Sequence, residues 1–225
     1  MAPTAMSAVH GSVHEPGLLQ AALERNPVDE EDQEGRTAMC VACEHGDLTA
    51  VQLLSSYGAR RRHIGSGMFA EEAAANEEVL EWLIASRFWT TALHHVDIIS
   101  SKRARSLLRN GAKLHARLKY FGERAPTPLD LAMQSDSEAS ALIREAAEPW
   151  STRTHHLWPA AARTQAEALV GIGHQLCRHL MPSQPCGAFL DPWLSHVLPM
   201  ALDRDEKWHA RPRFRRRVSK ESRGA

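Results

Sequence analysis

The sequence lacks the features by which exported, membrane-spanning and nucleic-acid-binding chains are recognised. Its first residues contain neither a basic region nor an apolar run long enough for a signal peptide. No later stretch approaches the roughly 20 apolar residues that cross a bilayer. Its 27 basic and 27 acidic side chains cancel, which argues against a global attraction to nucleic acid or to an anionic membrane. These absences predict a cytoplasmic protein without a membrane partner.

The sequence also has few cysteines and no recognisable catalytic motif. The four cysteines form no tight framework, which suits a reducing compartment; they are Cys40, Cys43, Cys177 and Cys186. There is no G-x-S-x-G elbow and no H-E-x-x-H motif, and Gly65-Ser66-Gly67 lacks the lysine of a phosphate-binding loop. We therefore predict that the protein is not an enzyme and has no catalytic residue, metal or cofactor.

Two groupings of cysteine and histidine keep a metal or thiol enzyme as a weaker alternative. Cys40 and Cys43 have the C-x-x-C spacing of zinc and redox sites, with His45 close by. A closed tetrahedral site would need two more ligands from elsewhere, and Cys43 falls at a small, buried position of a predicted helix. His174 and Cys177 are three residues apart and could share a helix face.

The clearest pattern in the chain is a helix–turn–helix hairpin at 35–59. Thr37 is placed to cap a first helix, Gly46 to end it in a left-handed turn, and Gly58 to end the second helix. The second helix has an apolar face at helical spacing, formed by Leu48, Val51, Leu53 and Leu54. Two helices this short cannot bury their apolar faces alone, so the hairpin predicts stacked neighbours.

From Asp32 to Ala59 the spacing D-x-x-G-x-T-x-x-x-x-A-x-x-x-G-x-L-x-x-V-x-L-L-x-x-x-G-A resembles an ankyrin repeat. The family's inner helix usually opens T-P-L-H; here Ala38 replaces the proline and Cys40 the histidine. The resemblance implies an all-α fold, namely an ankyrin-repeat solenoid of about four helix–turn–helix repeats with a C-terminal helical extension.

Three further repeats follow in less complete form. The second is diverged, with an alanine- and glutamate-rich helix at 68–75 before an outer helix at 77–84. The third and fourth open with T-A-L-H at Thr91 and T-P-L-D at Thr127. The resemblance therefore predicts that these threonines and Thr37 occupy equivalent places in successive layers.

Beyond the repeats, helical patterning continues without the period. A long amphipathic helix is predicted after Pro159, with an apolar stripe of Ala162, Ala166, Leu169, Ile172, Leu176 and Leu180. A second helix at about 189–202 is predicted to stack with it as a cap on the last repeat. We divide the chain into a disordered N-terminus (1–15), ankyrin repeats (16–149), a helical extension (150–203) and a basic tail (204–225).

The tail is the one strongly charged segment. From residue 207 onward it has eight basic side chains and one acidic side chain, a net charge of +7, which leaves −7 for residues 1–206. Arg215, Arg216 and Arg217 could act in nuclear import or touch an anionic surface. The alternative is a disordered solubilising tail. A nuclear location and any nucleic-acid contact depend on this segment alone.

The ankyrin resemblance implies recognition of a protein partner by loop tips and inner helices, without chemistry, and we expect a monomer. By motif position, the predicted partner-binding residues are Gln33, Glu34, Arg36, Glu44, His45, Arg61, Phe88 and Trp89. The alternative is an adaptor, such as a ubiquitin-ligase scaffold, that links a client to a second protein through the C-terminal helices. That alternative predicts an exposed apolar strip on the last helix.

Overall fold

The computed structural model describes residues 9, 16–62, 67–116, 125–182, 185–202 and 204. Apart from residue 9, the predicted disordered N-terminus at 1–15 lies outside the described residues, as do Arg215, Arg216, Arg217 and nearly all of the basic tail. Within the described residues the chain is helical and has no β-strand, which confirms the all-α prediction. None of the helices in this part of the chain combines the length and apolar character needed to cross a membrane.

Eleven α-helices follow one another in the described ranges. They are α1 (Pro16–Leu23), α2 (Ala38–Glu44), α3 (Leu48–Ser56), α4 (Ala70–Ala73), α5 (Glu77–Ser86), α6 (Ser101–Arg109), α7 (Pro128–Gln134), α8 (Glu138–Ala147), α9 (Ala160–Leu180), α10 (Gly187–Pro192) and α11 (Leu198–Ala201). Short 3₁₀ turns lie at Ala92–His94 and His155–Leu157, and one π-helical turn joins α10 to α11 at Trp193–Val197.

The first unit pairs α2 with α3, as the sequence predicts. Thr37 is extended, and its hydroxyl accepts a hydrogen bond from the backbone N–H of Cys40 at 3.4 Å. Gly46 and Gly58 follow the two helices with φ of 67° and 86°, a conformation that favours glycine. Every residue in 38–43 is buried, so α2 is enclosed on all sides. Caps and turns set the length of these helices, and burial stabilises them.

The second unit differs from its prediction in the length of the first helix. Instead of 68–75, α4 has four residues and begins after Phe69, which is extended. It ends early because the backbone N–H of Ala75 donates to the carbonyl of Cys43 in the first unit, at 3.0 Å, and not within its own helix. Asn76 then caps α5 and also donates to the carbonyl of Gly46 at 3.0 Å. The predicted outer helix at 77–84 is confirmed.

In the third unit, the inner helix expected after Thr91 is absent. Thr91 is extended, but only a 3₁₀ turn follows, and the backbone leaves the helical region at His95, where ψ is 48°. The next residues include β-branched Val96 and Ile99, which are buried and have low helix propensity. The outer helix α6 is present, and its N-terminus is capped by the hydroxyl of Ser100.

The fourth unit begins with a reciprocal cap. The hydroxyl of Thr127 accepts from the N–H of Asp130 at 3.1 Å, and the Asp130 carboxylate accepts from the N–H of Thr127 at 2.8 Å. Pro128 occupies the first turn of α7, where no backbone donor is needed. Aspartate in the usual histidine slot thus closes the cap directly. α8 packs beside α7 and against α6.

Two rows of packed helices can be traced through the first five helices, and the apolar core of the described residues divides into three clusters. α1, α3 and α5 form one run of neighbours, while α2 packs on α4. The first cluster extends from Leu19 to Leu83 and the second from Leu93 to Leu157. The third, which includes Trp150, Trp158 and Leu198, lies under the C-terminal helices.

The C-terminal helices bury only part of the stripe predicted for α9. Ala162 and Ala166 are buried, but the stripe reaches solvent further along the helix. α10 crosses α9 at Gly173, where an added Cβ would meet the ring of Trp193 at 2.9 Å. Arg204 ties the end of this region to the units before it, since its guanidinium donates to the carbonyl of Leu157 at 2.6 Å.

Candidate functional site

The first group of predicted partner-binding residues surrounds a loop organised by Asp32. The Asp32 carboxylate accepts from the N–H of Glu34 at 2.9 Å and from the N–H of Arg36 at 2.8 Å. The Arg36 guanidinium also donates to it at 3.1 Å. The backbone bond from Arg36 is the main cause that holds the pKa of Asp32 below its usual range. The loop is therefore fixed around a carboxylate that stays charged.

Arg36 also brings two of the predicted residues together. Its guanidinium lies 2.8 Å from the carboxylate of Glu34 and 3.7 Å from that of Glu44. Glu44 accepts a bond from the Cys40 thiol at 3.3 Å. Gln33 and His45 are exposed beside this group. The structure thus assembles a mixed charged surface from Gln33, Glu34, Arg36, Glu44 and His45.

Arg61 does not lie on a projecting, solvated loop tip. Its guanidinium donates to the hydroxyl of Ser86 at 2.9 Å and to that of Ser55 at 2.6 Å. It also covers the ring of Trp82, with its central carbon 4.9 Å from the ring centroid. Burial lowers the pKa of Arg61. Its aliphatic stem and charged head are therefore held between the second unit and the first.

Trp89 belongs to a cluster of aromatic rings at the same junction. Its ring centroid lies 5.8 Å from that of Trp82, 5.9 Å from that of His94 and 4.8 Å from that of His95. Phe88 is half-buried and lies under the guanidinium of Arg87, 4.5 Å from its central carbon. The structure therefore brings Arg61 and Trp89 to one site, remote in sequence from the Asp32 loop.

Sequence reasoning missed two polar members of this junction, His95 and Arg103. Both histidines of the T-A-L-H-H segment are buried, and burial followed by the neighbouring Arg61 lowers the pKa of His95 to about 3. The Arg103 guanidinium donates to the carbonyl of Ser56 at 2.9 Å. The run His94-His95 was the available signal, because two adjacent histidines in an inner segment cannot both be explained by the repeat pattern.

Cys40 and Cys43 are buried thiols, and their burial decides their chemistry. Burial is the largest cause that raises the pKa of Cys40 to about 11 and that of Cys43 to about 12. Both groups are therefore protonated at neutral pH, and protonated thiols are poor nucleophiles and poor metal ligands. In the described part of the chain, no group of three histidine, cysteine or acidic residues could hold a metal ion.

The C-terminal helix α9 exposes a row of aliphatic side chains. Ile172, Leu176 and Leu180 are 45%, 36% and 66% exposed, and their spacing of four residues places them on one helix face. The sequence predicted these residues as part of the apolar stripe of α9, together with Ala162 and Ala166, which are buried. The finding instead provides the exposed apolar strip on which an adaptor role depends, although on α9 and not on the last helix.

Comparison with known proteins finds no match for this chain. No family model matches it, and neither a curated protein nor a solved structure does so. A function for this protein therefore has to follow from its own residues and their geometry.

Proposed function

We propose that the protein is a non-enzymatic ankyrin-repeat module that binds a protein partner through its loops and inner segments. The observation that carries the proposal is that four successive units begin with the same backbone conformation. An extended residue precedes the first segment of each of four successive units; these residues are Thr37, Phe69, Thr91 and Thr127, with ψ of 163°, 151°, 153° and 162°. Each is followed by a short inner segment and then by an outer helix.

An antiparallel bridge before the inner segment also recurs in the first two units. An isolated bridge pairs Glu31 with Thr37, and another pairs Arg62 with Phe69. In both cases the bridged residue is the one that begins the inner helix. A β-turn followed by two helices is the composition typical of an ankyrin repeat, which supports the family assignment independently of the sequence motif.

The Asp32 loop is the surface best suited to hold a partner. Its backbone is fixed by two N–H bonds to one carboxylate, which also accepts from the Arg36 guanidinium, and Arg36 joins Glu34 and Glu44 across the loop. Side chains that are ordered before binding lose less entropy when a partner docks. A partner for this surface would present both charged and polar groups.

Capture from native lysate, with identification by mass spectrometry, tests this proposal with matched variants of the full chain. Glu34→Arg with Glu44→Arg reverses two charges on the loop. Glu78→Arg with Glu81→Arg makes the same charge change on exposed positions of the outer helix α5. We expect a partner captured by the wild type to be lost from the loop variant and retained by the α5 variant. Equal retention by both would contradict the proposal.

An adaptor role is the second candidate, because α9 exposes an aliphatic strip that the repeats leave uncovered. The strip variant is the full chain with Leu176→Asp and Leu180→Asp, which make the strip polar at these two positions. The control is the full chain with Gln175→Asp and His179→Asp, which change adjacent exposed positions of the same helix. We expect the strip variant alone to lose a captured protein that the Glu34/Glu44 variant keeps. If the strip variant keeps every captured protein, the adaptor role is wrong.

A further inference from the structure

A pocket opens between the first and third units, at the junction of the two larger apolar clusters. It encloses about 320 Å³, within the range of pockets that bind small molecules. Its walls come from the end of α3, the segments around Arg61 and Trp89, and the start of α6. Gly58, Arg87 and Thr90 are exposed and mark its opening.

The charge of the lining is of one sign. Arg61, Arg87 and Arg103 all contribute to the wall, and no aspartate or glutamate does. Two of these guanidiniums are fixed by neutral oxygens: Arg61 by the hydroxyls of Ser55 and Ser86, and Arg103 by a backbone carbonyl. These bonds orient the cations without neutralising them. The wall therefore has preorganised positive charge and no acidic side chain, although Glu71, outside the lining, acts electrostatically on Arg61.

Several donors in the wall also lack acceptors. Among the described residues, the buried Nε of Arg103, Nε1 of Trp89 and Nδ1 of His95 have no hydrogen-bond partner. All three belong to residues that line the pocket. Buried polar atoms are nearly always paired, so three such nitrogens in the residues that line one cavity mark it as a place where water or a ligand can bind.

His95 reports the same field. Burial is the largest cause that lowers its pKa, and Arg61, His94 and Arg103 lower it further. Burial disfavours a charge of either sign, so only the contribution of the two guanidiniums favours an anion at this site. The neutral imidazole can then present its unpaired ring nitrogen as a donor without adding a fourth charge.

From this arrangement we infer that the pocket binds the phosphoryl group of a phosphate monoester. A dianion offsets more of the three positive charges than a carboxylate does, and its tetrahedral oxygens can meet donors on several walls at once. Guanidinium groups bind phosphate oxygens through paired, charge-assisted hydrogen bonds. The ring of Trp89 provides an apolar wall for the organic part of the ligand. The inference does not depend on the ankyrin assignment.

Isothermal titration calorimetry of the full chain at fixed ionic strength tests the inference. The probes are inorganic phosphate, phenyl phosphate, benzoate, and a short phosphoserine peptide with its unphosphorylated form. We expect saturable binding of phenyl phosphate, at least about tenfold tighter than that of benzoate. If benzoate binds as tightly, or no phosphate probe binds, the inference is wrong. Tighter binding of the phosphopeptide than of phenyl phosphate would identify a protein as the source of the phosphoryl group, and the reverse would identify a free metabolite.

Variants locate the binding in this pocket. Arg87→Gln removes an exposed cation at the opening and should weaken phenyl phosphate at least about tenfold, since a charge-assisted bond is lost. Thr90→Trp fills the opening without a change of charge and should also weaken the binding of phenyl phosphate at least about tenfold. The control is Arg105→Gln, which removes an exposed cation of α6 that lines a separate basic groove with Lys102 and Arg109. If Arg105→Gln weakens binding as much as Arg87→Gln does, the site is misplaced.

Discussion

The first and third units each begin with an extended threonine, but the side chains that they bury differ in polarity. In the first unit, all six residues at 38–43 are buried, and only sulfur is polar among them. The corresponding third-unit segment buries His94 and His95. An apolar inner segment propagates as an α-helix, while the histidine pair ends in a 3₁₀ turn beside a pocket lined by arginines. The two segments thus begin alike, but the third places two buried histidines beside an arginine-lined pocket where the first buries an apolar helix.

The threonine hydroxyl has a different role in each of the two units. In the first, it accepts from the N–H of Cys40 and caps the helix. In the third, the hydroxyl of Thr91 lies 3.1 Å from Nδ1 of His94. The partner of the threonine hydroxyl is thus a backbone N–H in the first unit and the side chain three positions later in the third.

The largest expected effect comes from core leucines placed alike in the two units. Leu54 in α3 and Leu108 in α6 are both 0% exposed but belong to different apolar clusters. Leu54→Ala and Leu108→Ala should each lower the free energy of unfolding by about 2–5 kcal/mol, because each leaves a cavity. Urea denaturation followed by circular dichroism measures this. Met200→Ala, at a side chain 90% exposed, is the control. A leucine variant as stable as the control would show that its unit does not share the core.

The next largest effect is expected on the pH dependence of stability, through His95 of the third unit. The folded pKa of His95, about 3, lies below its ordinary 6.5, so the unfolded chain takes up the proton first as the pH falls. The stability that the neutral imidazole contributes is therefore present above about pH 6.5 and is lost towards pH 3, by at most about 1.4 kcal/mol per pH unit.

Urea denaturation between about pH 7 and pH 5 tests this linkage. His95→Gln should flatten the decline in stability, and His174→Gln, at an exposed position of α9, should keep the wild-type decline. A His95→Gln variant with the full wild-type decline would mean that His95 is charged in the folded protein.

A smaller effect is expected at the helix caps. Thr37→Ala should lower the free energy of unfolding by about 1 kcal/mol, because an N-cap acceptor is lost. Thr91→Ala should cost less, since no α-helix follows it. Thr37→Ser and Thr91→Ser keep the oxygen and serve as controls, again by urea denaturation. A larger loss at Thr91 than at Thr37 would contradict the difference between the two units.

The smallest effect is expected at the ion pairs of the Asp32 loop. Arg36→Gln removes contacts with three carboxylates at the surface, where water and salt screen them. It should shift the unfolding midpoint less than Thr37→Ala, and the shift should shrink further when salt is added. Thermal unfolding at low and high salt measures both. A shift that is insensitive to salt would indicate a structural role for Arg36 beyond charge pairing.

Local chemistry was readable from the sequence where a single residue imposes a backbone conformation. Thr37 caps α2, Thr127 caps α7, and Gly46 forms the turn after α2. These backbone preferences act over only three or four residues. The inner segment after Thr91 could not be read in this way, since its end depends on which side chains His94 and His95 meet across the stack. α4 was likewise shortened by a hydrogen bond to a distant carbonyl, that of Cys43.

The two candidate sites differ in the same way: the residues of one are close in sequence, and those of the other are far apart. The Asp32 loop was predictable, because its partners lie within a few residues of one another. Arg61 and Trp89 were selected as partner-binding residues, but their meeting at one pocket with His95 and Arg103 joins segments far apart in sequence. Leu176 and Leu180 were assigned to an apolar stripe but are exposed, because periodicity identifies an apolar face without identifying what covers it.

The amino-acid sequence by itself predicted the helical character of the described residues, the caps at Thr37 and Thr127, the turn at Gly46 and the burial of Cys43. These follow from short-range backbone preference and from the helical period. Only the tertiary structure decided which apolar faces find a neighbour, where an inner helix is cut short, and how three guanidiniums come to surround one cavity. Such outcomes depend on contacts between distant segments, whose free energy no local pattern contains.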